Sequence, residues 1–343
     1  MHKTRVLVRR GVGLWCAALS LTLVAACGST EGGAQDGGAT EGGGDNSNYP
    51  ERSITWIVAF DPGGGSDTEF RRLQPHLEEA LGVSVEVEYR PGADGGVGWS
   101  ELVNAEPDGY TIGGIVTPHI VLQPMVQGEG SFSTDGFGFV SANVQAPQAL
   151  IVSAEDPAYE DFEDFAADVE DNPGEVSVGA SARLNLSHII ATELAQEGLE
   201  TNYVSTGEGS TSVVTGVAGG HFPVGMLGAN HAVGSDEVRA IAVSSDDRFE
   251  ALPDVPTFKE LGIDVVGMTS WGVATPKDTP MEIRQTLADA ILAALDKEEV
   301  QESVAAEGQQ VLGYGPEETK EFVSGISGQY EEIVALIEEQ EGE

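Results

Sequence analysis

The chain is poor in the residues that many chemistries need. It has two cysteines in 343 residues. Cys16 falls inside an N-terminal apolar run that is removed on export, so no pair is left to form a disulfide in the mature chain. Lysine and arginine together number 16 against 57 acidic residues, a net charge of −41 that argues against nucleic acid as a partner. There is no Gly-x-Ser-x-Gly elbow and no His-Glu-x-x-His, and the histidines form no i, i+4 pair. Without a nucleophile set or a ligand set, the expectation is a protein that is not an enzyme and carries no cofactor and no metal. No repeat of about 20 to 50 residues is visible, which speaks against solenoids and propellers.

The longest apolar run, Val12 to Ala26, is shorter than the ~20 residues that usually span a bilayer. Lys3, Arg5, Arg9 and Arg10 precede it without an acid, and small residues close it, so residues 1–26 read as a signal peptide. Its end, Val24-Ala25-Ala26-Cys27, looks like a bacterial lipobox, with Cys27 as the lipidated first residue of the mature chain. Arg9-Arg10 hints at twin-arginine export, although Gly11 to Gly13 fit that pattern poorly. Residues 27–48 then form a Gly-rich tether with no aliphatic side chain larger than alanine, too polar to fold and long enough to reach about 25 Å from a membrane surface. Removing the signal leaves 12 basic against 57 acidic residues, a net of −45, read as surface solvation under screening salt.

From Ile54 onward strand-like and helix-like segments alternate, which predicts α/β architecture with largely parallel sheets. Ile54 to Phe60 is an apolar strand, and Val83, Val85, Val87 and Tyr89 alternate with polar residues. Between them Phe70, Leu73, Leu77 and Leu81 follow helical spacing, with Gly82 placed as terminator and Pro75 as a bend. Thr279-Pro280-Met281-Glu282 reads as an N-cap, a first-turn proline and a capping acid. Phe322, Ile326, Ile333 and Ile337 mark one side of a last helix. Short strands are expected at Leu150 to Val152 and Val238 to Val243, among others.

Chemistry points to two glycine-rich loops after strands. Phe60-Asp61-Pro62-Gly63-Gly64-Gly65-Ser66-Asp67 lets backbone amides approach a ligand, and the helix behind it adds partial positive charge, which suits an anion. It is neither a Walker loop nor a dinucleotide fingerprint, and the same residues also read as a plain turn capped by Ser66 or Asp67. Arg90-Pro91-Gly92-Ala93-Asp94-Gly95-Gly96 repeats the pattern after the next strand. Open α/β sheets bind ligands at such strand ends.

These loops, with Tyr49-Pro50, Pro107-Asp108-Gly109-Tyr110-Thr111, Gly179-Ala180-Ser181, His188 and Leu252-Pro253-Asp254-Val255-Pro256-Thr257, resemble the Bug (TctC-like) family of extracytoplasmic receptors of tripartite tricarboxylate transporters. The resemblance runs from Tyr49 to the end. It implies a two-lobed periplasmic-binding-protein (Venus flytrap) fold, with residues 49–148 plus 271–343 as one lobe, residues 149–270 as the other, and the ligand cleft between them. It also implies capture of a small carboxylate (a di- or tricarboxylate, an aromatic acid or an acidic amino acid) for membrane permease subunits. The protein would be a monomer held by lipid on Cys27 at the outer face of the cell membrane. Carried over by position, Gly64, Gly65, Ser66 and Asp67 would receive one carboxylate, with Gly95 and Gly96 beside it. Ser181, Asn185, Thr206 and Asn230 would approach from the second lobe.

Thr117 and His119 read either as cleft residues or as a polar exit from a strand, and His188 as structural. Arg183 reads either as a bidentate partner for a second carboxylate or as a surface ion pair. Tyr89 stands where the family usually has Asn. An alternative role is a lipoprotein that presents its ligand to a sensor kinase; an uncharacterised hydrolase is a further, weaker one.

Overall fold

The computed structural model describes residues 48–127, 132–181, 185–206 and 210–342. The first strand, β1 (Ile54–Val58), buries every side chain but Thr55, which half-emerges. Helix α1 (Gly65–Leu81) starts within the glycine run, buries Phe70, Leu73 and Leu77, and stops at Gly82, whose φ of 71° is the left-handed turn that glycine adopts without strain. Pro75 lies inside it. Strands β2 (Val85–Tyr89) and β3 (Thr111–Thr117) flank β1, both parallel to it. Helices α2 (Gly96–Val103) and α3 (His119–Gln127) follow β2 and β3. Because the three strands run the same way, the glycine loop, the turn before Gly96 and His119 all emerge at one end of the sheet.

β4 (Phe137–Ser153) is 17 residues long, although only Leu150 to Val152 stood out in the sequence. After it come α4 (Phe162–Asp171), β5 (Ser177–Ala180), α5 (Leu186–Gln196), β6 (Asn202–Ser205), α6 (Ser210–Ala218), β7 (Val224–Gly228) and β8 (Val238–Val243). The chain returns through β9 (Met268–Pro276), α7 (Met281–Leu295), α8 (Glu298–Ala306), β10 (Gln310–Tyr314) and α9 (Pro316–Gly342).

β4 belongs to two sheets. Over Phe137 to Pro147 it lies between β9 and β10, giving the order β2-β1-β3-β9-β4-β10. From Gln148 to Ser153 it lies between β7 and β8, giving β8-β4-β7-β5-β6. Only the outer members, β1, β2 and β3 in one sheet and β5, β6 and β7 in the other, are parallel to one another. The middle is antiparallel throughout, which corrects the expectation of largely parallel sheets. In the first sheet β9 returns from the second sheet to wedge between β3 and β4 and runs antiparallel to both.

Each sheet is covered on both faces. Trp56, Phe70, Val273 and Leu287 pack on one face of the first sheet, and Trp99, Leu102, Ile115 and Phe137 on the other. The second sheet buries Phe165, Val178, Ile189 and Phe258 on one side and Ile151, Val213, Val238 and Phe249 on the other. The capping box expected at Thr279 is not formed. Pro280 is the N-cap, α7 begins at Met281, and the Thr279 hydroxyl is buried without a hydrogen-bond partner among the described residues. Ile283, Leu287 and Ile291 form a buried apolar stripe along α7.

α9 touches both layers. Val323 joins the core of the first sheet, whereas Tyr330, Ile333 and Ile337 join that of the second. Burial of side chains of this size contributes roughly 1.5–3 kcal/mol each, enough to hold the distal half of the helix against α5.

Glu193 of α5 sits at this seam. Burial, with the Asp264 charge adding, pushes its carboxyl up to about 7. The unfolded chain then loses this proton near the ordinary carboxylate value while the folded chain keeps it, so stability falls as pH rises through that window. Each pKa unit corresponds to about 1.4 kcal/mol, reduced here because the side chain is only partly buried. Glu193→Gln is expected to be about 1–2 kcal/mol more stable than wild type at pH 8 and equal to it near pH 4. Urea unfolding at the two pH values checks this; equal differences at both would refute it.

Candidate functional site

The glycine loop owes its shape to Asp67. The backbone N–H of Gly63 (φ 89°) donates to Asp67 Oδ2 at 2.8 Å, Arg71 Nε donates to the same oxygen at 3.0 Å, and the Tyr89 hydroxyl donates to Oδ1 at 2.7 Å. Burial alone would raise this carboxyl, but the bonds from Tyr89, Arg71 and Gly63 outweigh it and hold the group below the usual carboxylate range. Tyr89, the departure from the family pattern, is thus part of the clamp that ties β2 to the loop.

With Asp67 turned inward, Gly64, Gly65 and Ser66 present the first turn of α1 to a cavity of about 580 Å³. Gly65 is tightly packed there: a Cβ would stand 3.1 Å from the Trp271 indole, which forms part of the wall.

A second helix start lies opposite. Asn185 caps α5, its Oδ1 accepting from the backbone N–H of His188 at 3.1 Å and from the Tyr203 hydroxyl at 3.1 Å, while its Nδ2 donates to Ser181 Oγ at 3.2 Å. His188 stacks on Tyr203 with ring centroids 4.2 Å apart. Ser181, Asn185 and Ser187 all line the cavity, so the N-termini of α1 and α5 converge on one space from the two sheets. An N-terminus carries about half a positive charge and unpaired N–H groups, the complement of an anion.

Between the helices lies the point where β4 changes sheet. Gln148 lines the cavity there and is fixed from both sides: its Oε1 accepts from Ser187 Oγ at 2.9 Å, and its Nε2 donates to Thr269 Oγ1 at 3.2 Å. Its backbone is pinned by the fully buried Ser244, whose N–H donates to the Gln148 carbonyl at 2.9 Å and whose Oγ accepts from the Gln148 N–H at 2.9 Å.

A buried ion cluster supports the wall on the side of α1. Arg72, with 3% of its side chain exposed, pairs with Glu69 through Nη1. Its Nη2 donates to Glu307 Oε2 at 2.8 Å and to Gln309 Oε1 at 3.0 Å, and its Nε donates to Ser303 Oγ at 3.2 Å. Asn143 Nδ2 donates to Glu69 Oε1 at 2.9 Å. Burial raises the carboxyl of Glu69, and the Arg72 charge opposes that shift. Glu307 and Gln309 reach the cavity; Glu69 and Arg72 lie behind it.

The structure therefore places Gly64, Gly65, Ser66, His119, Ser181, Asn185 and Asn230 around one cavity. His119 keeps its Nδ1 buried without a hydrogen-bond partner among the described residues, and burial, against the opposing charge of Asp94, holds the ring below the ordinary histidine range. Other expected site residues stand off the wall. Asp67 is the clamp. Gly95 and Gly96 belong to a turn held by Gln123, whose Nε2 donates to the Ala93 carbonyl at 3.1 Å, and a Cβ on Gly95 (φ 97°) would meet the Trp99 ring. Thr117 is buried at the end of β3. Thr206 Oγ1 lies 2.7 Å from Ser212 Oγ and lines a separate cavity beside α6. Arg183 and Cys27 lie outside the described residues.

Gln148, Ser187, Thr269, Trp271, Glu307 and Gln309 were not singled out from the sequence. None sits in a glycine loop, and the wall they form exists only once β4, β9 and the turn after α8 are assembled. Chemically the cavity offers hydroxyls and amides, two helix starts and, at one side, the Glu307 carboxylate. Its Ser181 and Ser187 are bonded to Asn185 and Gln148 rather than to a base, an arrangement for holding an anion reversibly.

Comparison with known proteins agrees with this geometry. Residues 69–340 match the tripartite tricarboxylate transporter family receptor, TctC. BugT of Bordetella pertussis is 30% identical over 296 residues, covering 80% of this chain and 86% of BugT. The solved periplasmic binding protein BugD is 26% identical, with a TM-score of 0.71 over 83% of this chain and 97% of its own. MatC from Rhodopseudomonas palustris, solved with bound malate, is 23% identical and shares the fold with a TM-score of 0.72 over 83% of this chain and 100% of its own. The chain belongs to the TctC family: it is an extracytoplasmic solute-binding receptor of the tripartite tricarboxylate transporter type, and not an enzyme.

Proposed function

We propose that this receptor captures a small carboxylate in the cavity between its sheets and delivers it to the membrane permease subunits of a tripartite tricarboxylate-type transporter. The observation that carries the reading is the convergence of the α1 and α5 N-termini on one space lined by neutral donors. In this reading Gly64, Gly65 and Ser66 take one carboxylate group, and Ser181, Asn185 and Asn230 bind from the other side. Residues 49–148 with 271–343, and residues 149–270, act as two lobes that close on the ligand by flexing where β4 passes Gln148. A ligand that touches both lobes only when they are closed favours that state by its difference in affinity. The malate held by MatC, a protein of the same fold, is consistent with this class of ligand. Lipid on Cys27 and the tether of residues 27–48 would keep the receptor at the outer face of the membrane.

A thermal-unfolding screen over mono-, di- and tricarboxylates, with neutral sugars as controls, tests the reading. A carboxylate present at about a hundred times its Kd stabilises by about 2.7 kcal/mol, a rise of roughly 4 °C for a chain of this size. A rise with a sugar and with none of the acids would exclude carboxylate capture.

A further inference from the structure

The charge distribution of the cavity is uneven in a way that the helix starts do not explain. Among the described lining residues there is no lysine or arginine. His119 and His231 are both held below the ordinary imidazole range by burial, so neither supplies a cation at neutral pH. Among the described lining residues the formal charge that reaches the wall is negative, that of Glu307.

Glu307 is placed rather than incidental. Its Oε2 is committed to Arg72 Nη2 at 2.8 Å, whereas Oε1 has no hydrogen-bond partner among the described residues. Its side chain is 37% exposed, against 3% for Arg72 and 4% for Glu69. One guanidinium serves two carboxylates here, and of the two it is Glu307 that lines the cavity. Gln309 hangs from the same Nη2 by its Oε1 at 3.0 Å, which fixes the amide and leaves its NH₂ as a donor. An acceptor and a donor thus stand side by side on one rigid anchor.

That pair complements a ligand head bearing an ammonium next to a carboxylate: the ammonium donates to Glu307 Oε1 and the carboxylate accepts from Gln309 Nε2. A purely anionic ligand meets like charge at Glu307 instead. We propose that Glu307 is a specificity-determining residue that selects amino acids over the corresponding deaminated acids. This inference rests on carboxylate capture in the same cavity.

Calorimetric titration of wild type and Glu307→Gln with two matched pairs, L-glutamate with glutarate and L-leucine with 4-methylpentanoate, tests it. The variant keeps an amide oxygen for Arg72, and its unfolding midpoint without ligand verifies the fold. In wild type the amino acid of at least one pair is expected to bind at least tenfold more tightly than its deaminated partner. Glu307→Gln is expected to weaken that amino acid at least tenfold and to leave the deaminated acid unchanged or tighter. If wild type binds the deaminated acid equally or better, or binds other carboxylates and neither amino acid, the role of Glu307 is refuted while carboxylate capture stands. Equal losses for both members of a pair in the variant refute it too. If wild type binds no carboxylate at all, the underlying reading fails and this inference with it. If Glu307→Gln does not fold, the wild-type ratio still refutes the role of Glu307 wherever the deaminated acid binds equally or better, and Glu307→Ala, which removes the carboxylate, takes its place in the comparison.

Discussion

Arg72→Leu is expected to lower the folding stability by about 3–5 kcal/mol, the range seen when one partner of a buried ion pair is removed. The size follows from what is left behind. Glu69 is fully buried, its Oε2 faces the vacated guanidinium, and the remaining Asn143 bond satisfies only the other oxygen. Four groups lose a donor at once: Glu69, Ser303, Glu307 and Gln309. Arg72→Lys recovers little, because an ammonium cannot reach both carboxylates, the serine and the amide in the planar fork that arginine provides. Adding Glu69→Gln to Arg72→Leu removes the stranded charge and is expected to restore part of the loss, since an uncharged buried amide costs less than an unpaired carboxylate. Urea denaturation of the three variants measures this. A loss below about 1 kcal/mol for Arg72→Leu would mean that the cluster behaves like a surface ion pair. The variant should also weaken ligand binding, because Glu307 and Gln309 would lose their common anchor.

Gly65→Val is expected to reduce carboxylate affinity at least a hundredfold, about 2.7 kcal/mol, while leaving the protein folded. A single added carbon already stands 3.1 to 3.2 Å from three atoms of the Trp271 indole. The two methyl groups of valine have no place except by pushing the indole into the cavity or lifting the loop away from it. Either movement misaligns the first-turn N–H groups that would face the ligand. Gly65→Ala demands only a few tenths of an ångström and should cost far less, so the ratio between the two variants separates crowding from a general effect of losing glycine. The stability penalty is small, because valine in the first turn of a 17-residue helix loses only a fraction of a kcal/mol in propensity. Titration calorimetry against a carboxylate that binds wild type, with unfolding midpoints alongside, gives both numbers. Unchanged affinity in Gly65→Val would remove the glycine loop from the binding site.

The sequence made the outer parts of the fold legible. β8 has the bounds read from its apolar run, Val238 to Val243, and Gly82 stops α1 because its left-handed φ has a clear residue signature. The glycine loop stood out for the same reason: a departure from ordinary composition marks an unusual backbone. β4 did not, because Ser141, Asn143 and Gln148 interrupt its apolar pattern, and their burial is explicable only through partners far along the chain, such as Glu69 for Asn143 and Ser187 for Gln148. Glu307 was invisible among 57 acids until a fixed arginine singled it out. Asp67 and the Gly95-Gly96 turn carried the composition of a binding loop, and the structure places them beside the cavity rather than on its wall.

The double membership of β4 bears on how such receptors can be recombined. A chimaera that joined the first half of one relative to the second half of another at residue 148 would have no neutral seam. The transplanted strand would have to satisfy β9 and β10 on one stretch and β7 and β8 on the next, with Ser244 and Gln148 matched across the junction. Exchange of the cavity loops leaves that strand intact, so new ligand preferences are reached more readily by replacing the turns at the sheet ends than by shuffling whole halves.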